Sequence, residues 1–148
     1  MEKPRILVLH GPNLNLLGTR EPGIYGTSTL EDHVAVVIDS AAKRGIEVTS
    51  RQTNSEAELV GFVHGASADA AAIIINAGAF THYSWALHDA LRSFHGPVVE
   101  VHLSNPSARE DFRHVSVLAG VVDGTISGFG SLGYELAVEA VVHLIDAR

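Results

Sequence analysis

The chain has 148 residues, 46% hydrophobic and 18% charged, which suits one globular domain over residues 1–148 and excludes a disordered chain. Its net charge of -7 argues against a nucleic-acid binder held by phosphate contacts, although a small anionic ligand needs only local donors. There are no cysteines, so disulfides, thiolate nucleophiles and Cys-based zinc sites are excluded.

Ile6-Leu7-Val8-Leu9 reads as a buried strand. The segment from His10 to Gly26 follows, broken by Gly11-Pro12, Gly18 and Pro22-Gly23, which forbid a continuous helix. Connections in compact domains are usually ~4–6 residues long, and much longer ones tend to be lids or binding loops. This one carries Asn13, Asn15, Arg20 and Tyr25, so it reads as a lid. Ser28-Thr29-Leu30-Glu31 resembles a capping box and opens a helix that stops at Gly45. Glu47–Gln52 alternates like a strand. A second box, Ser55 to Glu58, opens a helix with Leu59, Phe62 and Val63 on one face. Ala71–Ile75 is apolar throughout, as in a central parallel strand covered on both sides. Ser84–Phe94 reads as helix, Val98–His102 as strand, Gly124–Ser127 as a weaker strand, and Tyr134–Ile145 as a closing amphipathic helix.

Five rounds of strand and helix predict an α/β three-layer fold of flavodoxin-like type, with a five-stranded parallel sheet in the order 2-1-3-4-5. Ligands of such sheets bind beyond the carboxyl ends of the strands. Neither an N-terminal leader pattern nor an apolar stretch of ~18 residues is present, which predicts a soluble, cytoplasmic protein without membrane contact.

Three strand ends carry polar groups: the lid, the segment Asn76 to Ser84, and the segment Glu100 to Asn105 followed by Arg109 to Arg113. Asn76, Thr81 and Ser84, taken singly, fit capping and turn roles. His33, His64, His88, His95 and His143 read as bystanders. Glu100 and His102 stand two apart on a strand and so share a face, where the carboxylate can hold one imidazole nitrogen and favour the protonated ring of a general acid. A free tyrosine is too weak an acid to serve as a base near neutral pH, and Arg20 beside Tyr25 would favour the phenolate. The plainer alternative is a lid tyrosine packed for shape with a solvated arginine. Arg109 and Arg113, four apart, share a face on a helical turn, and the solvated reading fits Arg109 better than Arg113. The spacings of Glu100, His82, His88 and His102 match no zinc signature, so no metal is expected.

Together these blocks resemble the type II 3-dehydroquinate dehydratases. The matching residues are His10-Gly-Pro-Asn-Leu-Asn-Leu-Leu-Gly18, Arg20-Glu-Pro, Tyr25-Gly, Gln52-Thr-Asn-Ser-Glu56, Asn76, Thr81-His82, Ser84, Asp89-Ala90, Glu100-Val-His-Leu-Ser-Asn105, Arg109-Glu, Phe112-Arg113, Ile126-Ser-Gly-Phe-Gly130 and Gly133-Tyr134. The set covers essentially the whole chain in order. Ala77, Tyr83 and Pro106-Ser107 depart from the usual family residues at the rim.

The resemblance implies trans elimination of water from 3-dehydroquinate to give 3-dehydroshikimate through an enolate, in the shikimate pathway or quinate catabolism. It implies Tyr25 as base, Arg20 as its cationic partner, Asn13 as the residue steadying the enolate, His102 as acid and Glu100 as its orienting carboxylate. Asn76, His82, Leu103, Ser104 and Arg113 are implied as substrate contacts, and Asp89 as a residue reaching a neighbouring subunit's site within a dodecamer of trimers. No cofactor is implied. A lysine Schiff-base route to the same product is disfavoured, because Lys3 precedes the first strand and Lys43 lies near a helix end. A non-catalytic small-acid-binding module is the rival reading. A flavin or receiver domain is a third, but the chain after the first strand lacks both a Ser/Thr-Gly phosphate loop and a receiver's acidic residues.

Overall fold

The computed structural model describes residues 2–148. Its strands are β1 (Arg5–His10), β2 (Glu47–Gln52), β3 (Ala72–Asn76), β4 (Val98–His102) and β5 (Gly124–Ser127). They form one sheet in the order β2-β1-β3-β4-β5, with every pairing parallel. The helices are α1 (Pro22–Tyr25), α2 (Leu30–Ala42), α3 (Glu56–Asp69), α4 (Trp85–Arg92) and α5 (Leu132–Asp146). The flavodoxin-like arrangement expected from the alternation of elements is therefore the one found.

Side-chain alternation along the strands feeds two cores. Ile6, Val8, Ala72, Ile74, Val99 and Val101 pack with residues of α2 and α5, including Val37, Ala137 and Val141. Leu7, Leu9, Ile73, Ile75 and Val98 pack with residues of α3 and α4, including Leu59, Val63, Leu87 and Leu91. β1 and β3 can be apolar over Ile6–Leu9 and Ala72–Ile75 because both faces are covered, while β2, at the sheet's edge, stays partly exposed.

Register decides which residues meet at the carboxyl edge. His10 pairs with Gln52 on one side and Asn76 on the other, and His102 pairs with Ser127. The long segment after β1 is pinned across this edge. It forms a 3-10 turn at Leu14–Leu16 and then the single turn of α1, while Leu14 and Leu17 are buried in the α2/α5 core. Gly11 crosses the backbone beyond β3 so closely that a Cβ would lie 2.2 Å from the Ala77 carbonyl oxygen, and its N–H donates to the Asn76 carbonyl at 2.8 Å. No other residue fits there. Gln52 Nε2 donates to the Gly11 carbonyl at 3.1 Å, and the Asn13 N–H donates to Asn54 Oδ1 at 3.0 Å.

Local details differ from the sequence reading at three helix starts. The capping box of α2 is Thr29 with Asp32, one residue later than expected, with both reciprocal bonds made. At α3, Ser55 accepts from the Glu58 N–H at 3.2 Å, but the Ser55 N–H donates to Thr53 Oγ1 at 3.0 Å, leaving no return bond for Glu58. α5 begins at Leu132, two residues before the expected start. Gly133, a weak helix former, sits in its first turn because it is buried against Val101 and Ile126.

Candidate active site

A cleft of about 550 Å³, its open mouth included, lies under the β1 loop at the carboxyl ends of β1, β3 and β4. It is lined by Asn13, Arg20, Tyr25, Asn76, His82, His102, Leu103, Ser104 and Arg113, and also by Arg109. Of the residues given a catalytic or substrate-binding role by the resemblance, Asp89 and Glu100 are the two that do not line it.

Tyr25 closes α1 and is half-buried against the α2/α5 core. The Arg20 guanidinium lies 5.3 Å from its ring centroid and the Arg109 guanidinium 5.0 Å. A solvated Arg109 was the expected reading, and the structure overturns it. Asn105 caps a 3-10 turn over Pro106–Ala108, Arg109 follows in extended conformation, and a second 3-10 turn covers Asp111–His114. Arg109 and Arg113 therefore do not share a helix, yet both side chains enter the cleft. Arg109 Nη1 donates to Ser104 Oγ at 3.2 Å, and its buried Nε has no hydrogen-bond partner among the described residues. Arg113 Nε pairs with Glu110 Oε1 at 3.2 Å, a contact that holds the Glu110 carboxyl below its usual range.

Glu100 and His102 project from β4 to one face, as their spacing requires. His102 Nε2 bonds Glu100 Oε2, and Ser116 Oγ lies 3.4 Å from each Glu100 oxygen. Because the carboxylate accepts, Nε2 carries the proton and Nδ1 is the ring's other working nitrogen. Glu100 is only 1% exposed, so it acts on the cleft through His102.

Asn13 sits in the left-handed region at φ 68°, a conformation that asparagine tolerates better than most residues. The Asn76 Oδ1 accepts the Gly78 N–H at 3.2 Å, leaving the amide nitrogen as its free donor. His82 Nδ1 lies 2.7 Å from the Val115 carbonyl, to which it must donate, so a neutral ring keeps Nε2 as an acceptor. Ser84 caps α4, in line with its structural reading, whereas Thr81 is buried and its Oγ1 has no hydrogen-bond partner among the described residues, so it caps nothing. Asp89, on α4, pairs with His88 Nδ1 at 2.9 Å and its side chain is 79% exposed, so it does not serve its own chain's cleft.

Sequence reasoning missed a polar cluster beneath the cleft floor. His10 Nε2 lies 3.0 Å from Ser50 Oγ, and Tyr134 packs against both His10 and His33. Burial, followed by the nearby His33, lowers the His10 pKa to about 4; burial also lowers that of His33 and raises the Tyr134 phenol to about 12. The signal was present in the paired occurrence of His10 and Gly133-Tyr134 in the matching blocks, but no local pattern says that they touch.

The His10 shift has a measurable consequence. The unfolded chain binds this proton below about pH 6.5 and the folded chain only below about 4, so stability falls as pH drops through that interval and then levels off. Wild type should lose about 3 kcal/mol more than His10→Asn between pH 7 and pH 4 in denaturant unfolding. Parallel pH curves for the two proteins would rule out a buried neutral His10.

A phenol among cations and an imidazole held by a carboxylate, in one cleft at the carboxyl edge of a flavodoxin-like sheet, define an enzyme of the general acid–base class. Residues 4–142 match the family described as Dehydroquinase class II, and the chain belongs to that family. It is 56% identical over 144 residues to a 3-dehydroquinate dehydratase of Hyphomonas neptunium, covering 97% of this chain and 96% of that one. Among solved structures, the type II dehydroquinase of Propionibacterium acnes superposes with a TM-score of 0.90 at 48% identity, covering 97% of this chain and 98% of that one. That of Butyrivibrio crossotus gives 0.92 at 42%, covering 95% and 98%.

Proposed function

We propose that this chain is a 3-dehydroquinate dehydratase, a hydro-lyase that removes water from 3-dehydroquinate in trans fashion to give 3-dehydroshikimate. The observation that carries the reading is the presence in one cleft of Tyr25 beside Arg20 and Arg109 and of His102 held by Glu100. A proton beside a ketone is weakly acidic and hydroxide is a poor leaving group, so the reaction needs a base, an enolate stabiliser and an acid. Tyr25 takes the C2 proton, and the charge on the phenol is met by two guanidinium groups. Asn13 steadies the enolate. His102 protonates the departing C1 hydroxyl, with Glu100 orienting the ring. Asn76, His82, Leu103, Ser104 and Arg113 hold the substrate's carboxylate and hydroxyls. The pathway role is in shikimate metabolism, aromatic biosynthesis or quinate catabolism.

We also infer a dodecamer of trimers, in which Asp89 completes a neighbour's site. Its support is the outward-facing Asp89 beside exposed Tyr83 and Trp85. Sedimentation checks the mass, and Asp89→Ala should reduce turnover although Asp89 stands outside its own cleft. No helix among the described residues is long and apolar enough to cross a membrane, and the expected cytoplasmic location is checked by cell fractionation.

The deciding experiment is a steady-state assay with 3-dehydroquinate, following the ultraviolet absorbance of the conjugated product with no metal or cofactor added. Saturable product formation is expected; a folded protein that binds the substrate without turnover would favour the binding-module reading. Borohydride with substrate should leave activity intact. Lys3 and Lys43 are exposed and lie by the start of β1 and the end of α2, away from the cleft, so a trapped covalent adduct would overturn the enolate route.

A further inference from the structure

The reaction above uses Glu100 to orient His102, and a single contact does not fix a carboxylate. A torsion that ends at a trigonal carbon has broad wells, so a carboxylate gripped at one oxygen can still turn about its terminal bond. His102 Nε2 bonds Oε2. A second grip comes from Ser116, in the segment between the 3-10 turn of Asp111–His114 and β5. Its Oγ lies 3.4 Å from Oε1 and 3.4 Å from Oε2.

The other bonds of Ser116 set the direction of this contact. A hydroxyl offers one proton and two lone pairs. Ser116 Oγ accepts the Leu118 N–H at 3.1 Å and the Ala119 N–H at 3.0 Å, which together occupy both lone pairs. Its proton is left to donate, and the carboxylate receives it, shared between two oxygens. The residues on either side of Ser116 are fixed as well. The Val117 N–H donates to the Thr81 carbonyl at 2.8 Å, and His82 Nδ1 donates to the Val115 carbonyl at 2.7 Å. The loop after β3 thus clasps the chain on both sides of Ser116 and holds the hydroxyl against the buried carboxylate.

We propose that Ser116 is a positioning residue whose hydroxyl donates to Glu100, fixes the plane of its carboxylate, and through it holds the His102 ring in the orientation that presents Nδ1 to the substrate. The proposal deepens the reading of the cleft as a 3-dehydroquinate site and rests on it for the step that His102 performs. Without the hydroxyl the carboxylate keeps only the imidazole as a strong partner, and the two can turn together, so the acid spends less time aimed at the leaving hydroxyl.

Ser116→Ala should lower kcat about 10-fold, the scale of one hydrogen bond to a charged group. KM should stay nearly unchanged, because proton transfer from His102 belongs to the transition state. Ser116→Thr keeps the hydroxyl and should keep kcat near wild type. Ser116 borders a cavity of about 470 Å³, its open mouth included, so the added methyl has room. In a Glu100→Gln background Ser116→Ala should have no further effect on kcat, because its action passes through the carboxylate. A residue that merely caps its own turn would lower the melting temperature and leave kcat unmoved, or add its loss in full to that of Glu100→Gln; either result overturns the proposal. An independent readout needs no turnover. The His102 Nε2 proton, followed by NMR in the ligand-free protein, should shift and exchange faster with solvent in Ser116→Ala than in wild type or Ser116→Thr. An unchanged signal overturns the proposal even if kcat moves. An inert wild-type enzyme would defeat the dehydratase reading, and the imidazole signal would still decide whether Ser116 holds the Glu100–His102 pair.

Discussion

Tyr25→Phe should lower kcat about 10³-fold while leaving KM and the melting temperature nearly unchanged, as steady-state kinetics and thermal unfolding will read. The substitution deletes one oxygen. The ring stays, still packed partly against the α2/α5 core and still facing the guanidinium groups of Arg20 and Arg109 at 5.3 and 5.0 Å. What disappears is the group proposed to take the substrate proton, an interaction made only on the way to the transition state, so the loss falls on kcat. Stability should be little affected because α1 is a single turn near the surface whose neighbours Leu14 and Leu17, not Tyr25, anchor the loop in the core. A variant that kept more than a tenth of wild-type turnover would remove Tyr25 from the role of base.

His102→Ala should combine a loss of turnover of about 10²- to 10⁴-fold with a loss of stability, and the two can be separated. Glu100 is 1% exposed, and its strong partner is the His102 ring, with only the longer contacts to Ser116 Oγ besides. Removing the imidazole leaves a buried carboxylate without its main hydrogen-bond donor, and breaking a buried pair in this way costs about 3–5 kcal/mol. The double variant His102→Ala/Glu100→Gln removes the stranded charge as well. Its melting temperature should return most of the way to wild type while turnover does not recover. If activity returned with stability, His102 would be a structural partner of Glu100 and the proton donor would have to be sought elsewhere in the cleft.

The difference between these two variants follows from where the residues sit. Tyr25 belongs to a loop pinned by backbone contacts such as those of Gly11, Asn13 and Gln52, so its side chain can change without disturbing the sheet. His102 belongs to β4, an interior strand buried along its whole length, where every polar group needs a partner.

Much of this was legible before any coordinates. Alternating strand and helix patterns, with apolar runs at β1 and β3 and stop signals at Gly45 and Gly96-Pro97, carry the order of elements, and handed crossovers allow few topologies for it. The Glu100–His102 pair was readable because two-residue spacing on a strand dictates a shared face. Arg109 was misjudged for the opposite reason. A four-residue spacing to Arg113 suggested a helical face, but Asn105 and Pro106 start a 3-10 turn that ends at an extended Arg109, whose guanidinium lies beside Tyr25.

The sequence by itself determined the class of fold, the polar strand ends and the pairing of His102 with Glu100, because periodicity and near-neighbour spacing are local properties of the chain. Tertiary structure alone decided that two arginines converge on Tyr25, that Asp89 turns away from its own cleft, and that Tyr134 packs against both His10 and His33. The convergences on Tyr25 and on Tyr134 join segments far apart in the chain. Contacts of that kind are set by sheet register and by helix packing over it, which no local pattern of residues encodes.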